Sequence, residues 1–326
     1  MPLGNPRPLE DREVGFIAVL VWSNMKSRMP NSHTLLALLL SGAAVGAQEI
    51  QPVIDRPLTL PKGRLDLTLH GTYTNWGNSN SVGAGPSSLT GETLALGADF
   101  GATDQVQLGL GLALPINPGA GFGSILASAD FAVDEKIALR TDAGFESVGL
   151  NGDNTGSASH TSRYFAGVGA SIKLPLSPTV AFVTGHTGAV QFGHFNNLGD
   201  SGTGFYTGAS ALTEASSDFL VLSGGNNGSS TIIGINLPAG LLLQPDPHLA
   251  LTLQAGYSAA ISTSGSVRAL HFIPVGLEAV VTPAPRVDIG ARFFLDGYVA
   301  QSGGGSGGHP NYFDLRALML YIRVHA

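Results

Sequence analysis

Cysteine is absent from the 326 residues of the chain, which excludes disulfides, thiol nucleophiles and acylation of an amino-terminal Cys as a lipoprotein anchor. Charged residues make up only 12%, too few for a disordered chain, while 45 glycines are too many for a helical one. No run of about 18 apolar residues follows residue 48, so a helical membrane protein is not expected. Basic residues are scarce too: beyond residue 47 there are 12 Lys and Arg against 20 Asp and Glu. That balance argues against nucleic acid as a partner and for a surface that repels anions.

The amino end reads as export. Met25-Lys26-Ser27-Arg28-Met29 is a basic n-region, Leu35 to Leu40 with the small residues after it an apolar h-region, and Val45-Gly46-Ala47 the cleavage site. The expected organisation is an over-extended start at 1–24, a signal peptide at 25–47, a periplasmic lead-in at 48–63 and one folded unit at 64–326. The lead-in is punctuated by Pro57 and Pro61.

What is present in quantity is alternation. From Glu92 to Pro115, Leu94, Leu96, Ala98 and Phe100 share one face of an extended chain and Ala95, Gly97, Asp99 and Gly101 the other. After Ala102-Thr103-Asp104, Val106, Leu108, Leu110, Leu112 and Leu114 oppose Gln105, Gln107, Gly109, Gly111 and Ala113. Long strands with leucine on one face and Gly or Gln on the other suit a wall between lipid and a polar lumen.

The pattern recurs to give twelve expected strands, at 64–75, 92–101, 105–115, 124–133, 136–150, 163–174, 179–192, 231–243, 249–258, 268–282, 287–298 and 312–324. Connections after the even-numbered strands are short turns, and those after the odd-numbered ones are mostly longer and polar. In the clear strands the charged residues fall on the face opposite the leucines. Tyr73, Trp76, Phe145, Tyr164, Tyr257, Tyr298 and Phe313 lie near the loop ends, and Phe100, Phe131, Phe182 and Tyr321 near the turn ends, as two interfacial girdles require.

With these features the chain resembles a Gram-negative outer-membrane β-barrel, porin-like, along nearly all of residues 64–326. The resemblance implies an all-β, antiparallel, up-and-down transmembrane barrel of 12 strands, with both termini at the periplasmic side. It also implies outer-membrane lipid and the barrel-insertion machinery as partners. Such barrels commonly end in an aromatic residue; here the chain ends Arg323-Val324-His325-Ala326, and Tyr321 is the nearest candidate. Pro238 and Pro274 fall inside strands, and each implies a bulge or a mis-set strand. Residues 193–229 contain the apolar Phe219-Leu220-Val221-Leu222, expected to constrict the lumen or extend the wall; as a further spanning strand it would raise the count to fourteen.

The candidate functional residues line the expected lumen: Asp66, Glu92, Asp99, Asp130, Arg140, Asp142, Glu146, Arg163, Lys173, Glu278, Asp288, Arg292, Asp296, Asp314 and Arg316. Acids outnumber bases, so the expected function is a narrow passive channel for small solutes with mild cation preference. The alternative is a structural or surface-interaction barrel whose charges neutralise one another across a closed lumen. A third reading, an outer-membrane lipase, needs a Ser-His pair; His186, His194 and His271 are the nominees, but no Gly-x-Ser-x-Gly elbow accompanies them. Gly109-Leu110-Gly111 and Gly167-Val168-Gly169 precede no helix, so they read as space in the lumen rather than as phosphate loops. Asn151 to Gly156 lacks a bidentate acid at calcium spacing. No cofactor, metal or catalytic residue is expected, and the barrel is expected to be a monomer.

Overall fold

The computed structural model describes residues 50–77, 88–117, 124–151, 158–184, 220–225, 231–262, 268–302 and 315–326. The chain forms β1 (Leu65–Gly77), β2 (Ser88–Gly101), β3 (Val106–Asn117), β4 (Ser124–Ala132), β5 (Ile137–Asn151), β6 (Ala158–Ser177), β7 (Val180–Thr184), β8 (Leu220–Gly225), β9 (Thr231–Asp246), β10 (Leu249–Ser262), β11 (Arg268–Ala284), β12 (Val287–Ser302) and β13 (Leu315–His325). Consecutive strands other than β7 and β8 pair antiparallel, and β1 pairs with β13 from Asp66↔His325 to Trp76↔Leu315, which closes the sheet. Closure leaves no long free edge of unpaired backbone groups.

Thirteen strands occupy twelve places in the wall. β7 pairs with the turn-end half of β6 (Ile172↔Thr184 to Ser177↔Val180), and β8 with its loop-end half (Arg163↔Gly225 to Val168↔Leu220). Both lie against β9, β7 at Val183↔Gly240 and below, β8 at Leu220↔Ile235 and above. The single strand expected at 179–192 is thus five residues long where described, and Leu220 to Leu222 fills the rest of its place. The backbone of Leu220 to Leu222 therefore runs in the wall, and Phe219 lies outside the described residues. This stretch of backbone adds no place to the ring, so the alternative of fourteen strands falls away.

The expected bulge at Pro238 is not there, since Pro238 pairs with Gly256 in unbroken register. On its other side β9 has no partner among the described residues from Asn236 to Ala239, between its pairings with β7 and β8, where a missing N–H is tolerated. Pro274 pairs with Asp296, and a register shift does occur close by, between His271 and Phe272.

One end of the barrel is made of tight turns at 102–105, 133–136, 178–179, 247–248 and 285–286. The connections at the other end lie outside the described residues. Among the described side chains, large apolar groups stand exposed on the outward phase, Leu110 at 57%, Leu253 at 51% and Leu139 at 51%, with Phe100 and Phe131 at the turn end. Exposure of this kind on every wall position would aggregate in water and is what a lipid-facing band requires.

Residues 50–64 do not hang below the barrel. Gly63, at φ 78°, turns the chain back on itself. Gly63 N–H donates to the Gly101 carbonyl at 2.7 Å and Gly101 N–H to the Arg64 carbonyl at 2.9 Å. A Cβ on Gly101 would collide with the carbonyl oxygens of Leu60 and Pro61, so this close passage needs glycine. From there the segment enters the lumen and ends in a single 3-10 turn, Val53–Asp55.

Candidate functional site

The interior wall is built by the alternation that exposes the leucines. On β1, Asp66, Thr68, His70 and Thr72 are buried; on β5, Ala138, Arg140 and Asp142; on β11, Glu278, Val280 and Thr282; on β12, Asp288 and Arg292. Two charged clusters form on different sides of this interior, with an apolar floor and the amino-terminal segment between them.

The first cluster sits on β3, β4 and β5. Register places Gln107 opposite Asp130 and Asp130 opposite Arg140. The Arg140 guanidinium lies 3.3 Å from Asp130 and 3.5 Å from Asp142, with all three side chains almost wholly buried. Gln107 reaches Asp130 at 3.5 Å. One cation between two carboxylates offsets half of their charge and leaves the trio net negative.

The second cluster gathers on β1, β11, β12 and β13. Asp288 is its centre, with no solvent exposure. It accepts from Thr282 Oγ1 at 2.7 Å, from Arg56 through both terminal nitrogens (2.5 and 2.9 Å) and lies 3.0 Å from His325 Nε2. The other nitrogen of His325 is 2.8 Å from Asp66, so one ring spans two carboxylates across the β1–β13 seam. Nearer the middle, Tyr321 donates to Glu278 at 2.8 Å, and Glu278 stands opposite Arg292 in the register. Arg323 donates to Thr68 Oγ1 at 3.3 Å and lies 5.9 Å from the Tyr321 ring centroid, a cation–π distance.

Arg56 belongs to neither wall. It is carried by the amino-terminal segment, which spans the turn end of the lumen. Leu60 N–H donates to Gln107 on β3, Ile54 N–H to Gln244 on β9, and Arg56 reaches Asp288 on β12 and Thr282 on β11. Lys173, from β6, donates its ammonium to the Arg56 carbonyl. Val53 and Ile54 sit in one apolar cluster with Ala181, Val183, Leu242, Ala250, Val280, Met319 and Tyr321. The lumen is therefore stoppered at its turn end by the chain's own residues.

Of the residues expected in the lumen, Asp66, Asp130, Arg140, Asp142, Lys173, Glu278, Asp288 and Arg292 are buried inside and Asp99 is half-buried there. For Glu146, Arg163 and Asp296 the backbone phase agrees with the interior, Glu146 standing opposite Arg163; their side chains, and those of Glu92 and Arg316, are outside the described set. Asp314 lies wholly outside it. Two positions depart from the expected phase. Glu92 pairs with Tyr73, which faces outward, and Arg316 alternates with Ala317, Met319, Tyr321 and Arg323, which face inward. Gln105 belongs to the turn before β3 and is exposed, not lumenal.

Tyr321 is the chief correction. Expected in the outer girdle, it points inward at 6% exposure, and the Glu278 carboxylate accounts for its preference. Its neighbours Arg323 and His325 were missed for the same reason, because the phase of the last strand was read one residue out. Arg56 carried no pattern at all that would mark it as a lumen residue. Of the lipase nominees, His186 and His194 lie outside the described residues, as does the side chain of His271. Among the described residues no group of three or more His, Cys, Asp or Glu is arranged to hold a metal.

No protein-family model matches the chain, and no curated protein matches it. Solved structures do. An outer membrane channel from Pseudomonas putida F1 is 12% identical with a TM-score of 0.45, covering 85% of this chain and all of the other. What this chain itself shows is a closed antiparallel β-barrel with twelve places in its wall. The NanC porin is 6% identical with a TM-score of 0.41, over 79% of this chain and 98% of its own. The translocator domain of the autotransporter NalP from Neisseria meningitidis is 12% identical with a TM-score of 0.40, over 94% and 97%. These barrels differ in activity, and none of their activities is carried over to this chain.

Proposed function

We propose that this barrel resides in the outer membrane as a monomer, with its turn end toward the periplasm, and is a passive conduit for small solutes with mild cation preference. Outer-membrane lipid and the insertion machinery are its expected partners, and the reading needs no catalytic step. The observation that carries it is the contrast between the two faces of the wall. Leucine and phenylalanine stand bare outside, while among the described residues Asp66, Asp99, Asp130, Asp142, Glu278 and Asp288 outnumber Arg56, Arg140, Lys173, Arg292 and Arg323 inside. A wall meant only to be filled would be cheaper to build from apolar side chains, since each buried ion must be desolvated and paired. Net negative charge along a narrow path favours cations.

The second reading, a barrel with a closed lumen, is favoured by the stopper at residues 50–64. Planar-bilayer recordings separate the two. A conduit gives discrete conductance steps and, under a potassium chloride gradient, a reversal potential shifted toward that of potassium. Absence of steps at every salt concentration, both in the full chain and after removal of residues 51–60, rejects the conduit.

A further inference from the structure

We propose that Asp288 is the catch of a displaceable stopper: release of Arg56 from this carboxylate frees residues 50–63 from the turn end of the lumen and opens it. The inference rests on the conduit reading and adds to it how passage is controlled.

Several features make the segment removable. It is not part of the sheet. Pro52, Pro57 and Pro61 deprive it of donors, and its amides at Ile54 and Leu60 bond to glutamine side chains of the wall, which can turn to water instead. It is held by no covalent link, since the chain has no cysteine. Its root is the hinge at Gly63, with a backbone conformation that costs glycine little.

The charged part of the attachment is concentrated at one point, beside the apolar anchor of Val53 and Ile54. Arg56 makes the segment's bidentate ion pair, to Asp288, and also donates to Thr282, while Lys173 grips the Arg56 carbonyl from β6. Bidentate, charge-assisted contacts of this kind are the strong ones. The catch is also built to survive release. When Arg56 leaves, Asp288 keeps the Thr282 hydroxyl and His325, so the carboxylate is not stranded. Thr282 and His325 stay with the wall, and only Arg56 departs.

The absence of cysteine makes the test clean. A reporter thiol in Leu58→Cys, at a position 5% exposed, is expected to react slowly with a water-soluble maleimide in reconstituted full-length protein. Adding Asp288→Asn is expected to raise that rate about tenfold or more, as loss of one charge-assisted pair implies, and to raise single-channel conductance. Arg56→Lys, which keeps the charge and loses the fork, falls between. Heat-modifiable migration on gels reports that each barrel is folded. An unchanged labelling rate in folded Asp288→Asn protein overturns the catch. If labelling responds but a chain lacking residues 51–60 still fails to conduct, the conduit reading fails and the catch stands. If that deletion conducts while Asp288→Asn changes neither labelling nor conductance, the catch fails and the conduit stands.

Discussion

The two charged clusters of the lumen use similar side chains and differ in where those side chains come from. Asp130, Arg140 and Asp142 lie on two adjacent strands with Gln107 on the next, so the group forms as soon as three neighbouring strands pair. The group around Asp288 needs β11, β12, the last strand, the first strand across the seam and a residue from the amino-terminal segment. The first is a product of local sheet formation, and the second can be completed only when the barrel has closed. A local cluster stiffens the wall; a cluster assembled from both ends of the chain can report, and control, whether the lumen is shut.

The largest expected effect comes from removing the cation between the two carboxylates of the first cluster. Arg140→Ala leaves Asp130 and Asp142 buried without the cation between them. Breaking a buried pair in this way costs about 3–5 kcal/mol, read as a lower denaturant midpoint for the folded band in detergent. Arg56→Ala removes a less deeply buried cation, 12% exposed against 2% for Arg140, and should move that midpoint far less, because Asp288 retains Thr282 and His325. Equal losses in the two variants would erase the distinction between a structural cluster and a catch.

Tyr321→Phe tests the middle of the second cluster. It leaves a Glu278 carboxylate oxygen without its 2.8 Å donor in a site with almost no solvent. Hydrogen bonds to charged groups contribute about 1.5–3 kcal/mol, and a midpoint shift of that size is expected with the ring's packing kept. No shift at all would mean that the phenol is incidental to the cluster.

These differences follow what could be read from residues alone. The barrel was legible because a lipid-facing wall forces strict alternation, and 94–114 shows it with hardly an exception. The first cluster was legible for the same reason, since Asp130, Arg140 and Asp142 sit in strands whose phase is plain. In the last strand Ala317, Met319, Tyr321 and Arg323 alternate with Arg316, Leu318, Leu320 and Ile322, so the two phases are equally apolar and each carries one arginine. An aromatic near a strand end reads as an interface anchor, and only the Glu278 partner from another strand shows otherwise. The stopper was illegible because its contacts are to barrel residues 38 to 232 positions away, set by closure of the ring and by no local periodicity.

The finest test uses the space that glycine leaves in each cluster. A Cβ on Gly290 would run into the Tyr321 ring, a rigid group fixed by its bond to Glu278. Gly290→Ala must therefore displace the ring or bend the strand, an overpacking cost of about 1–3 kcal/mol. A Cβ on Gly109 meets Ser128 Oγ and Asp99 Oδ1, the ends of side chains that can rotate away. Gly109→Ala should cost less than about 1 kcal/mol once the gain of a residue better suited to a strand interior is included. Both would be measured as midpoint shifts in the same detergent. A smaller loss at Gly290 than at Gly109 would show that the ring is free to move, and with it that the cluster spanning the seam is the looser of the two.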